Sequence, residues 1–414
     1  MQEVTQKTSI SYQQTPQASK TKKAHSPSYI LAVGGMLYAC GHKLLENIFK
    51  NTSVDLTFTV VSITAMIIYQ LYVLLIYRRY KYGNLLLAGL LCIFYFAALY
   101  LILFSGFVYE LYICSILLAL LVFKQYKLTD REKTRIYWLF VIMTIILLMG
   151  GTTKDMMSED KVNPNTCGLL LMLLFCMSIV RYRNTKGLLD LILILLSFGL
   201  QFYYQSRTAI VGCFCFIILM LIWGRRQYCS TKSACILILF LSLLSVLFAY
   251  LYVQYLMGLG QESVIKKDLF TGRPNIWKLA FESIEKHIWF GVGSHFNEDL
   301  AVIWNNKALL NTHNQSLGII TSFGVIAFVI FSLVFAYLVP QSCVVNEKCK
   351  KKTTYRLPII FIVSILIMNF AETNFFYPWY VAILAAFVFI SNSCEKKTAS
   401  KYINKNEKTE NLNG

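Results

Sequence analysis

Charge is what this sequence has least of. Only 14% of its 414 residues are Asp, Glu, Lys or Arg, against roughly 25% in a soluble globular protein. That shortage excludes a disordered chain, a secreted disulfide scaffold and a soluble enzyme, none of which could cover a water-facing surface with it. Acidic residues are the scarcer sign, 21 against 39 Lys and Arg. The twelve cysteines form no CxxC pair and show no Cys/His spacing. Most sit inside apolar runs as small hydrophobes, so neither a zinc site nor a disulfide framework is expected. There is no fixed-period repeat and no low-complexity tract.

Apolar residues are abundant instead, at 57% of the chain. At about 20 residues per spanning helix, that suffices for twelve spans. The apolar runs fall at 29–48, 54–76, 84–104, 107–123, 136–150, 166–180, 187–203, 208–224, 234–255, 314–339, 358–375 and 377–393. The expected fold is an all-α, polytopic membrane helix bundle. It divides into a tail at 1–28, nine spans over 29–255, a large loop at 256–312, three spans over 313–393 and a tail at 394–414. With twelve spans both tails share one side, and 28 of the 39 Lys and Arg lie on it. By the positive-inside rule both termini are cytoplasmic, and the net charge of +18 sets orientation rather than binding nucleic acid. Lys20, Lys22 and Lys23 ahead of a short apolar stretch also fit a signal peptide. The long polar leader and the bulky Tyr38 argue against cleavage.

The 256–312 loop balances its charges. Lys266, Lys267, Arg273, Lys278, Lys286 and Lys307 stand against Glu262, Asp268, Glu282, Glu285, Glu298 and Asp299, which suits an ordered segment. Pro274 opens a predicted helix from Asn275 to His287, since proline needs no donor in the first turn. Ile276, Trp277, Ala280, Phe281, Ile284 and Ile288 fall on one face of it. Such a helix lies on the membrane surface or caps the bundle. Gly291 and Gly293 end it.

Groups of catalytic type gather on the external face. Arg207 lies in the tight turn between the seventh and eighth spans, and Arg273 stands at the start of the loop helix, a position suited to a phosphate. Glu110 and Glu372 lie near the external ends of the fourth and eleventh spans, and ionisable groups at membrane depth tend to face a cavity or the bundle interior. His313 opens the tenth span beside Asn314 and is the side chain best suited to taking a proton from a hydroxyl. His295 in the loop is its rival. Asp190, on the other side, pairs locally with Lys186 on this reading.

Four stretches carry a family resemblance. They are Asn163-Pro164-Asn165; Ser206-Arg207 with Gly212; Gly272-Arg273-Pro274 with Trp277 and Gly291-x-Gly293; and His313-Asn314 followed after nine residues by Gly324. In this order and on one side of the membrane, they resemble the O-antigen polymerase and ligase superfamily of bacterial glycosyltransferases. The resemblance implies an enzyme of the bacterial cytoplasmic membrane that polymerises undecaprenyl-diphosphate-linked glycan repeats. Arg207, Arg273 and Asn314 would bind the diphosphate and His313 would activate the acceptor hydroxyl, with Glu372 the next candidate. His295 and Glu110 are candidates for the acceptor side. The donor and acceptor are both lipid-linked glycans, membrane lipid surrounds the bundle, and a chain-length regulator is a further candidate partner. No cofactor or metal is expected, because no outward Asp-x-Asp pair offers to hold one. One position departs: ligases of this group often show Arg-x3-Leu, and Val211 stands at that spacing here. A ligase that moves finished polymer to lipid A core, or a flippase for the same lipid-linked glycan, are the alternatives. A flippase would place its charges near the midplane, whereas these lie at one face.

The charge asymmetry makes a direct prediction. A cysteine placed at Asn305 reacts with a membrane-impermeant thiol reagent in intact cells or spheroplasts, and one at Asn404 does not; the reverse labelling pattern would sink the topology.

Overall fold

The computed structural model describes residues 25–49, 52–76, 109–150, 164–224, 227–258, 273–293, 312–344, 353–376 and 378–394. Twelve α-helices occur among them. In chain order they are α1 (Pro27–Phe49), α2 (Thr52–Ile76), α3 (Tyr109–Gln125), α4 (Asp130–Gly150), α5 (Pro164–Thr185), α6 (Leu188–Tyr203), α7 (Arg207–Trp223), α8 (Thr231–Gly258), α9 (Arg273–Lys286), α10 (Gln315–Ser342), α11 (Arg356–Met368) and α12 (Tyr380–Ser393). Eleven of the twelve apolar runs coincide with one of these helices, and α9 is the loop helix. The run at 84–104 lies outside the described residues, as does most of 256–312. The chain is an all-α helical bundle, and among the described residues four stretches, Thr57–Leu75, Asn165–Thr185, Thr231–Tyr255 and Gln315–Ser342, are long and apolar enough to cross a membrane.

Local sequence explains several boundaries. Pro164 starts α5, where no backbone donor is required. Thr129 and Glu132 form a reciprocal capping box at α4: the Glu132 backbone donates to Thr129 Oγ1 at 3.3 Å, and the Thr129 backbone to Glu132 Oε2 at 2.9 Å. Glu132 Oε1 also accepts from the Ser26 backbone at 2.8 Å, which ties the start of α1 to α4.

Close packing at small residues sets the rest of the bundle. A Cβ on Gly168 of α5 would meet Ser206 Oγ at 2.0 Å, and one on Gly212 of α7 would meet Met368 Sδ at 2.5 Å. Arg356 at the start of α11 donates from Nη1 to the Trp223 carbonyl at the end of α7, at 2.9 Å. Hence α7 and α11 run antiparallel, and Arg207 lies at the end of the bundle where α11 finishes.

Three features depart from the sequence reading. The eleventh span stops at Met368 rather than 375; a turn follows, and then a single 3-10 turn at Asn374–Phe376. Two short strands, β1 (Tyr228–Ser230) and β2 (Thr353–Tyr355), pair antiparallel with Cys229 opposite Thr354, between apolar runs of a chain expected to be all-α. Asp190 is not paired with Lys186. Its Oδ1 lies 3.2 Å from Arg181 Nε and accepts from Tyr137 Oη, while Oδ2 accepts from Thr185 Oγ1 at 2.6 Å. The reason is local geometry: Lys186 takes a positive φ of 55° between two helices and its ammonium sits over the Tyr182 ring instead.

Helix α10 is broken at Gly324, with φ 80° and ψ 174°, a conformation essentially confined to glycine. A turn of residues 287–293 fills the break. Val292 N–H donates to the Thr321 carbonyl at 3.0 Å, Gly293 N–H to that of Ser322 at 2.9 Å, and Val325 N–H to that of Ile288 at 2.8 Å. A Cβ on Gly324 would lie 2.0 Å from the Trp289 carbonyl oxygen. The glycine of the His-Asn-x9-Gly pattern is therefore a backbone requirement. Gly324→Ala is expected to lose at least about 1–3 kcal/mol through strain alone, read as a lower melting temperature of the detergent-purified protein. Gly199→Ala, in open space within α6, should be neutral or stabilising by roughly 0.5–1 kcal/mol. Equal melting temperatures for the two variants would refute the assignment of the break.

Candidate active site

The site is built where three connections meet at one end of the bundle. The first is the corner Thr312-His313-Asn314 ahead of α10. Asn314 is its N-cap: Oδ1 accepts from the Leu317 backbone at 2.9 Å and from Ser245 Oγ of α8 at 3.1 Å. Its Nδ2 donates to the carbonyls of Ser245, at 3.1 Å, and Phe370, at 3.0 Å. The side chain is fully buried with both ends engaged. Asn314, expected to touch a diphosphate, is instead a brace that joins α8, α10 and the turn after α11.

The second connection is α9. Trp277 is fully buried, and its Nε1 donates to the Thr312 carbonyl at 2.7 Å. Pro274, Ile276 and Ala280 are buried with it. The predicted face therefore packs against the bundle, except that Ile288 lies beyond the helix end and is exposed. Docked in this way, α9 aims Arg273 at the corner.

The third connection is the turn 369–376. Asn369 accepts from Gln315 N–H at its carbonyl, at 3.0 Å. Asn374 Nδ2 donates to Asn369 Oδ1 at 2.7 Å, and Gln315 Oε1 accepts from the Phe375 backbone at 3.0 Å. These bonds hold the turn against α10 and present Glu372. Its carboxylate stands between two partners: Arg273 Nη2 donates to Oε1 at 2.5 Å, and His313 Nδ1 lies 3.5 Å from Oε2. The Glu372 and Arg273 side chains are 8% and 14% exposed and His313 is 23% exposed, so the imidazole is the most open member. His313 also adopts a φ of +47°, an uncommon conformation for a residue with a side chain and the kind of strain that clusters at functional sites.

The structure thus joins Arg273, Glu372 and His313 directly. Arg207 is at the same end of the bundle, exposed, and makes no ion pair among the described residues. Glu110 is fully buried in the first turn of α3, which packs against the 374–376 turn; neither carboxylate oxygen has a hydrogen-bond partner. It does not reach the three joined residues. His295, Asn163 and Gly272 lie outside the described residues. Sequence reasoning missed Ser245, Thr312, Gln315 and Asn369. The signal available was polarity at the edge of apolar runs, as in Ile367-Met368-Asn369.

An all-α membrane bundle with an Arg-Glu-His corner is the class these observations define. Residues 191–332 match the family model Wzy_C, described as O-antigen ligase. The chain is also 27% identical over 191 residues to an O-antigen ligase of Pseudomonas aeruginosa, an alignment covering 46% of this chain and 43% of that protein. The chain thus aligns to under half the length of that relative. No solved structure matches. Both matches are to O-antigen ligases, in line with the resemblance read from the sequence, and each covers under half of the chain. The matched region holds Arg207, Arg273, His313 and Asn314 and ends before Glu372.

The brace predicts that a substitution which keeps the cap can still destabilise the site. Asn314→Asp keeps a good helix cap but loses both Nδ2 donors, leaving the Phe370 carbonyl facing a carboxylate; an unmet buried group costs about 1–3 kcal/mol. It should melt below the parent despite the retained cap. An Asp variant as stable as the parent would show that the brace does not hold the turn.

Proposed function

We propose that this protein is a membrane glycosyltransferase that polymerises undecaprenyl-diphosphate-linked oligosaccharide repeats on the outer face of the bacterial cytoplasmic membrane. The observation that carries the reading is the contact of Arg273, Glu372 and His313 at one end of an apolar bundle, with Arg207 at that same end. In the proposed step the acceptor hydroxyl oxygen attacks the anomeric carbon of the donor. The bond from that carbon to the diphosphate oxygen breaks, and the diphosphate leaves with the electron pair. His313 takes the hydroxyl proton. With the proton on Nδ1 directed to Glu372, Nε2 is the nitrogen with a lone pair to receive it. Glu372 orients the ring and stabilises the imidazolium that forms, the task a carboxylate performs behind a histidine base.

Arg273 spends only Nη2 on Glu372, and a guanidinium carries five donors in a planar fork. Its remaining donors, with Arg207, suit the charge that develops on a diphosphate leaving group. A ligase that transfers finished polymer to a lipid acceptor is the second reading, favoured by the names of the matching family and of the Pseudomonas aeruginosa relative. Both readings use the same donor and the same proton transfer. They differ in the acceptor.

Purified lipid-linked repeats incubated with each variant test the chemistry. His313→Ala is expected to fall by about 10²–10⁴-fold, the usual contribution of a positioned base. Arg273→Lys should lose most activity although its charge is kept, because the planar fork is gone, and Arg207→Ala should be as damaging. Glu372→Gln should both slow turnover and move the pH–rate profile. Normal turnover by folded His313→Ala with loss in His295→Ala would transfer the base to the loop histidine. The glycan ladder of a deletion strain separates the readings: single repeats mean a polymerase, and full-length polymer left on the carrier means a ligase.

A further inference from the structure

The turn that follows α9 does not stop at the level where α10 begins. Its hydrogen bonds to Thr321, Ser322 and Val325 fall six to ten residues into that helix, roughly 9–15 Å along the axis at 1.5 Å per residue. The two parts of α10 together have 28 residues, at most about 42 Å of helix, near the full thickness of a bilayer with its headgroups. With a headgroup layer of about 5–7 Å on each side, a helix that starts at the membrane surface would carry the break and the turn lodged in it just inside the hydrocarbon. Backbone can leave a helix at that depth only if its freed groups are met by protein. The three bonds at the break do this.

Three side chains of the turn point the other way, whereas Val292 packs inward. Ile288, Trp289 and Phe290 are three consecutive large hydrophobics, 43%, 60% and 58% exposed. Directly along α10 from Val325, Val329 and Leu333 and Tyr337 are exposed at four-residue steps, on the stripe that an apolar helix turns toward lipid. The Ile288 carbonyl, which accepts from Val325 N–H, joins the triplet to the helix at the head of that stripe. A water-facing loop tip has no reason to carry Ile-Trp-Phe, whereas aromatic rings with one polar edge concentrate at the headgroup boundary.

We propose that residues 288–293 form a re-entrant anchor, with Ile288, Trp289 and Phe290 inserted among the lipid chains at the boundary of the bilayer. The occupant of this apolar tip is bilayer phospholipid. The anchor extends directly from α9, so it fixes the depth of Arg273 relative to the membrane surface. The inference requires only a membrane bundle and stands apart from the reaction proposed above.

The test is depth, measured on the full chain in phosphatidylcholine vesicles. An environment-sensitive fluorescent amino acid is incorporated at Phe290, and in a second protein at Glu285, an exposed position on α9. Lipids brominated along their chains are expected to remove most of the emission at 290 and little at 285, while aqueous iodide gives the opposite order. If the label at 290 prevents insertion, Trp289→Phe serves instead: it should reduce the fraction of intrinsic tryptophan emission that brominated lipid quenches. Quenching at 290 by iodide would place the tip in water and overturn the proposal. Protection from both quenchers would mean that protein, a second copy or a partner, covers the tip, and would overturn it equally.

Discussion

The side chain of Asn314 is the interaction on which the rest of the site depends. In an apolar bundle every unmet donor or acceptor at a helix end is costly, because no water is at hand to replace the lost bond. Asn314 answers four such demands at once, those of Leu317 N–H, Ser245 Oγ–H and the carbonyls of Ser245 and Phe370. One amide thereby caps α10, ties α8 to it and pins the turn that follows α11. His313 is its immediate neighbour and Glu372 lies two residues beyond Phe370. The distance between the imidazole and the carboxylate is thus set by a residue that touches neither.

Around this brace the chain divides its tasks between polar and glycine positions. Trp277 bolts α9 to the corner through the Thr312 carbonyl, and Arg273 follows from that attachment. Gly291 and Gly324, both at positive φ, allow the turn and the broken helix to meet backbone to backbone. The apolar bundle fixes the scaffold. A handful of polar side chains at one end decides what the scaffold presents.

Hydropathy made most of the fold legible, because a bilayer requires long apolar runs and the runs show themselves without knowledge of their neighbours. Arg273, His313 and Glu372 could be singled out in the same way, as charged or titratable groups next to apolar stretches. What lay hidden was every feature set by a distant partner. The ladder between 228–230 and 353–355 depends on residues far apart in sequence. Asp190 takes Arg181 rather than the nearer Lys186 because the linker geometry turns the lysine away. Asn314 reads as a ligand because its four partners belong to three separate segments. The early end of the eleventh span at Met368 was masked by Phe370, Phe375 and Phe376, which continue the apolar composition after the helix has stopped.

The paired strands at the far end have a mechanical meaning. They join the end of α7 and the start of α8 to the start of α11, and Thr354 adds a bond from its hydroxyl to the Pro340 carbonyl near the end of α10. Four helices are therefore clasped at one end, like the closed end of a pair of tongs. Separation of α8 from its neighbours is then a rotation about the clasp, and displacement grows with distance from it. Ser245 stands 15 residues beyond Ser230, roughly 20 Å along α8, so a tilt of about three degrees there moves it by about an ångström. That is enough to break the two Ser245–Asn314 bonds while the clasp is barely disturbed, so the brace under His313 is far more sensitive to such a tilt than the strands that close the other end.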